Sequence, residues 1–137
     1  MAKSEKGVMV FGTFAILHPG HLSFFYEAKN HGDKLIVVIA RDMTVRKIKG
    51  SFPKLDESAR REIVRALKIV DKAVLGDKFD WYKIILKYKP DVICLGYDQV
   101  VPENFSEELR KRGVAAKIIR LKSFKPKKYK SSKILSK

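Results

Sequence analysis

Cysteine is almost absent from this chain: Cys94 is the single one among 137 residues. An internal disulfide and a cysteine metal cluster are thereby excluded. Prolines number only five, and tryptophan occurs once, at Trp81. No apolar run approaches the ~18 residues of a membrane span. The start, Met1 to Lys6, is polar, and the apolar stretch behind it is too short for a signal-peptide core. A cytoplasmic chain without membrane contact is expected. Two common catalytic signatures are also missing: there is no Gly-x-x-x-x-Gly-Lys-Ser/Thr loop and no Gly-x-Ser-x-Gly elbow. Acids are missing from one region in particular. From Arg110 to the end there are twelve Lys or Arg and no Asp or Glu, whereas before Arg110 eighteen basic residues face fifteen acidic ones. The formal net charge of +15 therefore sits mainly in the C-terminal segment. A nucleic-acid binder more often carries a basic stripe within its fold, so no specific nucleic-acid partner is expected.

What is present is 45% hydrophobic residues, enough for one domain with a real core. Val8 to Phe11 reads as a short buried strand. Apolar residues at helical spacing predict a helix over Gly20–Asn30, stopped at His31 and Gly32, with Gly32 as a left-handed cap. Lys34–Ala40 is a β-branched run of the kind covered on both faces of a sheet. Arg41–Lys54 is polar, basic and broken by Gly50 and Pro53, and is predicted to be a loop. Asp56 caps a helix whose apolar stripe is Ile63, Val64 and Leu67. Ala73–Leu75 is a third strand, ended by Gly76 and Asp77. Asp80 caps a helix carrying Trp81, Ile84, Ile85 and Tyr88, which stops before Pro90. Asp91–Gly96 is a fourth strand, Asn104–Glu107 a capping box for a helix ending at Gly113, and Ala116–Leu121 a fifth strand. Ser131–Leu135 starts a last short helix.

This alternation predicts an α/β fold: one Rossmann-like, doubly wound domain over residues 1–137, with a five-stranded parallel sheet, right-handed crossovers and helices on both faces. Residues 1–6 read as a polar tail and 122–137 as a basic segment closing the site.

Four stretches fall at the same edge of such a sheet: Gly12–His21, the Arg41–Lys49 loop, Gly96–Gln99 and Lys125–Lys133. In a doubly wound sheet they converge on one crevice. There Gly12 and Gly20 remove side chains where backbone approaches a phosphate. His18 and His21, three apart across a helix start, donate N–H bonds to phosphate oxygens beside the positive end of the helix. Lys47, Lys49 and the tail lysines add positive charge. Arg60, Arg61 and Arg65 read as a solvated helix face, with Arg60 in reach of a phosphate. Trp81 reads as a packing residue, Cys94 as a buried strand residue and His31 as an exposed helix-end residue. The histidines also admit reading as a divalent-metal pair, although no third strong ligand stands nearby. The chemistry that fits is phosphoryl-type transfer by positioning and charge stabilisation, without a covalent intermediate.

Gly12-Thr13-Phe14 followed by His18-Pro19-Gly20-His21 resembles the signature of the nucleotidyltransferases with a His-x-Gly-His motif. Lys130-Ser131-Ser132-Lys133-Ile134 resembles that family's C-terminal motif, over a hundred residues away. Within the family, Arg41–Val45 with Lys47 and Gly50, then Ala73–Asp77, then Leu95–Gln99, look most like the archaeal FAD synthase group. The resemblance covers about residues 7 to 137. It implies adenylyl transfer from ATP to FMN with a divalent cation, giving FAD and pyrophosphate. It further implies that His18 and His21 stabilise charge on the phosphates and that Thr13 and Phe14 contact the nucleotide, in a nucleotide site that also takes in Gly12, Pro19, Gly20 and Gln99. Lys47 or Lys49 brings in the acceptor phosphate, Gly96, Asp98 and Lys130 help hold the nucleotide, and Ser131 and Ser132 grip the β- and γ-phosphates. The family usually carries Asp where this chain has Ala15. Three outcomes stay open there: another group substitutes, activity is lowered, or the site binds nucleotide without efficient turnover. A cytidylyltransferase acting on glycerol 3-phosphate is the alternative within the same fold. A homodimer is the general expectation for such a chain.

Overall fold

β-branched runs separated by helices build a parallel sheet in the computed structural model, in which residues 5–78 and 80–122 are described. The elements run β1 (Gly7–Gly12), α1 (Pro19–Lys29), β2 (Lys34–Ile39), α2 (Asp42–Lys49), α3 (Glu57–Arg65), β3 (Lys72–Leu75), α4 (Tyr82–Tyr88), β4 (Val92–Leu95), α5 (Phe105–Lys111) and β5 (Lys117–Arg120). The five strands lie in the order β3-β2-β1-β4-β5, and every pairing is parallel. Strand order thus reverses at β1. Alternate residues of β1 enter different layers. Val8 and Val10 join Phe25, Ala28 and Val64 on one face, while Met9 joins Ile85, Phe105 and Leu109 on the other. Period-two alternation with both faces apolar is what a doubly covered strand requires.

The two edges of the sheet are built differently. At the N-terminal edge three aspartates, each one residue before a strand, accept a backbone N–H from the neighbouring strand or its approach. Asp33 takes Lys6 N–H at 2.9 Å, Asp71 takes Leu35 N–H at 2.8 Å, and Asp91 takes Gly7 N–H at 2.9 Å. The C-terminal edge instead parts. β1 and β2 pair along their whole length, from Gly7–Lys34 to Gly12–Ile39. β1 and β4 pair only at Val8–Val92 and Met9–Ile93. The gap opens at the switch point, where an open α/β sheet places its ligand crevice.

Several expectations need correction. Arg41–Lys54 is not a continuous loop, because Asp42–Lys49 forms α2. An acid in its first turn and Arg46, Lys47 and Lys49 in its last complement the helix dipole, and Gly50 (φ 87°) ends it. Gly32 does not adopt a left-handed conformation; the positive-φ glycines among the described residues are Gly50 and Gly113. A Cβ at Gly32 would stand 2.6 Å from Val8 Cγ2, so the residue serves close packing. Ile63 faces solvent at 45% exposure, and its expected place beneath α3 is taken by Arg60, four residues before Val64. The Asn104 side chain makes no capping bond, whereas Asp56 accepts from Ala59 N–H as expected.

Candidate active site

Strand β1 delivers the glycine–histidine stretch to the parted edge. Phe14 there has φ 53° and turns its ring back into the core against Phe25. A Cβ on Gly12 would lie 2.5 Å from that ring. Gly12 thus makes room for the Phe14 ring. Phe14 in turn meets the His21 ring edge-on at 5.5 Å.

Pro19 opens α1, where its missing N–H costs nothing. Around it the two histidines cap the helix reciprocally. Gly20 N–H donates to His18 Nδ1 at 3.1 Å, and His18 N–H donates to His21 Nδ1 at 3.3 Å. The rings stack with centroids 4.0 Å apart. This is the geometry of a Ser/Thr–Glu capping box built from imidazoles. It has a chemical consequence. With each Nδ1 accepting a backbone proton, the neutral ring carries its own proton on Nε2. Burial, and secondarily the neighbouring His18, lowers His21 to a pKa of about 4. Burial also lowers His18. The pair is therefore a set of neutral Nε2–H donors near pH 7, at the positive end of a helix.

Across the gap, Gln99 binds both strand ends. Its Nε2 donates to Phe11 O at 3.0 Å and its Oε1 accepts from Gly96 N–H at 2.8 Å. Gly96, Asp98 and Gln99 follow the C-terminal end of β4, and the Gln99 amide is engaged with backbone. On the β2 side, Arg60 is fully buried. It donates to Thr13 O at 2.9 Å, Asp42 Oδ1 at 2.7 Å and Leu55 O at 3.0 Å. Its place is under the site, correcting both the solvated face and the phosphate contact. Arg61 donates to Ala73 O, and Arg65 is exposed beside Glu62. Lys47 and Lys49 stand exposed in the last turn of α2. Trp81 stacks on Phe105 at 5.0 Å and meets Phe11 edge-on at 5.4 Å, so it is a packing residue. Cys94 is wholly buried, and burial with the charge of Glu27 pushes its thiol up to about 11. Lys130, Ser131 and Ser132, with the rest of the basic segment beyond Lys122, lie outside the described residues.

Sequence reasoning missed three supporting groups. Glu57 accepts Asp42 N–H at 2.8 Å and an Arg41 N–H at 3.3 Å, and Arg41 Nε donates to Gly76 O at 2.7 Å. Arg120 caps carbonyls of the Gly96 loop. A charged residue closing β5 at the site edge was the one available signal. Among the described residues no group of three His, Cys, Asp or Glu side chains could hold a metal ion, so a protein-built metal cage does not fit. No helix among them is long and apolar enough to cross a membrane.

Known proteins are similar to this chain in sequence and fold. The family model described as cytidylyltransferase-like matches residues 9–137. The FAD synthase of Aciduliprofundum boonei is 51% identical over 118 residues, covering 85% of this chain and 78% of that protein. The FAD synthase of Archaeoglobus fulgidus is 49% identical over 115 residues, covering 83% and 82% respectively. A crystal structure described as the lipopolysaccharide core biosynthesis protein of Thermoplasma volcanium superposes with TM-score 0.84 at 41% identity, covering 88% of this chain and 99% of that one. A strand order reversing at β1, a capped histidine pair beside it and relatives of this closeness place the chain in the cytidylyltransferase-like family, as a nucleotidyltransferase of the archaeal FAD synthase group.

Proposed function

We propose that the crevice transfers the AMP moiety of ATP to the phosphate of FMN, releasing pyrophosphate. The observation that carries this reading is the reciprocal cap of His18 and His21, which turns two imidazoles into preorganised Nε2–H donors. The relatives' name, FAD synthase, supplies the product, and adenylyl transfer to FMN is the reading of how it forms. An FMN phosphate oxygen attacks the α-phosphorus in line; the new O–P bond forms as the bond to the β-phosphate oxygen breaks, and pyrophosphate leaves. His18 and His21 donate to oxygens that gain charge in the transition state, and the N-terminus of α1 adds its dipole. Thr13 and Phe14 with Gly12, Pro19 and Gly20 form the nucleotide side, with Gly96 and Asp98 opposite. Ser131 and Ser132 are assigned to the β- and γ-phosphates, Lys130 to holding the nucleotide, and Lys47 or Lys49 to delivery of the acceptor. A divalent cation would supply charge neutralisation on the substrate phosphates, and among the described residues there is no carboxylate or histidine cage to hold it without them. The chain works in the cytoplasm on small-molecule substrates, without a specific nucleic-acid partner, and a homodimer is its general expectation.

The test is pyrophosphate release with Mg²⁺ and each pairing of ATP or CTP with FMN, glycerol 3-phosphate and phosphopantetheine. Release with ATP plus FMN is expected. Turnover only with CTP and another acceptor overturns the reading in favour of the cytidylyltransferase alternative. If no pair turns over, Ala15→Asp separates a weakened enzyme, which regains turnover, from a nucleotide binder, which does not.

A further inference from the structure

We propose that Arg120 and Gln99 are positioning residues that together hold the Gly96–Gln99 loop in its nucleotide-binding conformation, with Arg120 clamping the loop's carbonyls and Gln99 bridging the parted ends of β1 and β4. Arg120 closes β5, the edge strand beyond β4. Its Nη1 donates to Gly96 O at 2.7 Å and Gln99 O at 2.7 Å, with Tyr97 O at 3.4 Å. The main-chain carbonyls on both sides of Asp98 are thus drawn to one guanidinium nitrogen. Carbonyls held by a cation form charge-assisted bonds, stronger and better directed than neutral ones.

Gln99 works from the other side of the same loop. Ladder pairing between β1 and β4 stops at Met9–Ile93, so Phe11 O and Gly96 N–H have no partner in the opposite strand. The side-chain amide of Gln99 supplies one donor and one acceptor to these two groups, at 3.0 and 2.8 Å. It stands in for a missing peptide of the ladder. The crevice stays open while its floor remains hydrogen-bonded. Each residue closes a different gap: Arg120 joins the loop to β5, and Gln99 joins it to β1, the strand that carries the histidine stretch. The Gly96–Gln99 loop thereby has a fixed position relative to His18 and His21. Neither Arg120 nor Gln99 needs to touch the nucleotide for this, and Gln99 has both ends of its amide already committed.

The inference rests on the adenylyl-transfer reading for the identity of the nucleotide, and the experiment separates the two. Steady-state kinetics on the full chain are measured with ATP plus FMN and with CTP plus glycerol 3-phosphate, for wild type, R120Q, R120K, Q99M and R120Q/Q99M, alongside thermal unfolding. For the nucleotide that wild type uses, R120Q is expected to raise KM about tenfold, the size expected when a charge-assisted clamp is lost. The acceptor KM stays within about twofold, and Tm moves little because Arg120 is on an exposed edge. R120K recovers part of the loss, since an ammonium still donates to carbonyls but from a flexible stem without the planar group that fixes Nη1. The double variant falls short of the product of its two single effects, because both residues hold one loop. An unchanged nucleotide KM in R120Q overturns the inference. So does an equal rise in acceptor KM, an R120K variant no better than R120Q, or a multiplicative double variant. Wild-type turnover with CTP plus glycerol 3-phosphate alone overturns the adenylyl-transfer reading, and the clamp is then judged on the CTP KM.

Discussion

Arg60 donates to the main-chain oxygen of Thr13 at 2.9 Å, linking the second turn of α3 to the first residue after β1 across 47 positions of sequence. The same guanidinium pairs with Asp42 at 2.7 Å, and its side chain is wholly buried. Arg60→Met keeps most of the volume but strands a carboxylate and two carbonyls. Breaking a buried pair costs about 3–5 kcal/mol. Asp42 retains 26% exposure, so water offsets part of that and the lower end applies. Urea unfolding should show a loss of about 3 kcal/mol, and Tm should fall by roughly 10 °C. A double-mutant cycle with Asp42→Asn should return a coupling of at least about 1 kcal/mol. Additivity would mean that the pair does not hold the α2–α3 corner together.

The N-terminal edge offers a different test. Asp71 accepts Leu35 N–H and pairs with Lys29 at 2.9 Å. Burial raises its pKa, but the Leu35 bond and the Lys29 and Lys34 charges outweigh this and hold it below the ordinary carboxylate value. A carboxylate depressed on folding contributes stability that is present above its unfolded pKa and is lost as pH falls through the folded one. Asp71→Asn removes that acid-side dependence and costs about 1 kcal/mol at pH 7, since the pair is one-third exposed. Chemical denaturation at pH 7 and at pH 3 checks both: the gap between wild type and D71N should narrow at the lower pH.

How much of this was legible in sequence depends on what holds each element. Strands β1, β2 and β4 are held by apolar burial, and Val8–Val10, Leu35–Ile39 and Val92–Leu95 are entirely buried. Their runs were readable directly, and with them the sheet and its crevice. The histidine stretch was readable because Gly, Pro and His have few other reasons to meet between a strand and a helix. Helix α2 was not readable. Its Met43 and Ile48 are exposed, Val45 alone is buried, and the helix is fastened by Glu57 at its first N–H and by Arg60 through Asp42. Such contacts join residues 15 and 18 positions apart and leave no periodic trace. Arg60 was misread for the same reason: on a helix stripe a buried guanidinium is indistinguishable from a solvated one until its oxygens are located.

Gly12 carries a prediction that separates packing from phosphate binding. A Cβ there would lie within 2.5–2.9 Å of three atoms of the Phe14 ring, and the ring is held by Phe25 and His21. Gly12→Ala should therefore destabilise by about 1–3 kcal/mol, the range for overpacking a core. Phe14→Leu costs stability by itself, but in combination it vacates the colliding volume. The double variant should be more stable than the sum of the single changes by at least about 1 kcal/mol. Thermal and urea unfolding measure this without any substrate. If the two changes simply add, the glycine is needed for a reason other than Phe14.

The reciprocal cap allows the structural and chemical roles of His21 to be taken apart. An Asn side-chain oxygen can stand near the Nδ1 position, whereas a Gln side-chain amide nitrogen reaches toward Nε2. His21→Asn should keep the bond from His18 N–H and most of the stability, yet lose about 10²–10³ in kcat, the usual consequence of removing one preorganised donor. His21→Gln should retain more activity and lose more stability. Titration supplies the second arm. His21 is lowered from 6.5 to about 4 in the fold, so between those values the unfolded chain binds a proton that the folded one does not. Stability must then rise as pH increases from about 4 to about 6.5 and level off above, by the linkage relation. In H21N that slope should shrink. At pH 7, nitrogen-15 spectra of the imidazoles should show Nε2 protonated and Nδ1 bare in both rings. A proton on Nδ1 of either ring would break the cap and remove the basis for assigning Nε2–H as the donor to phosphate.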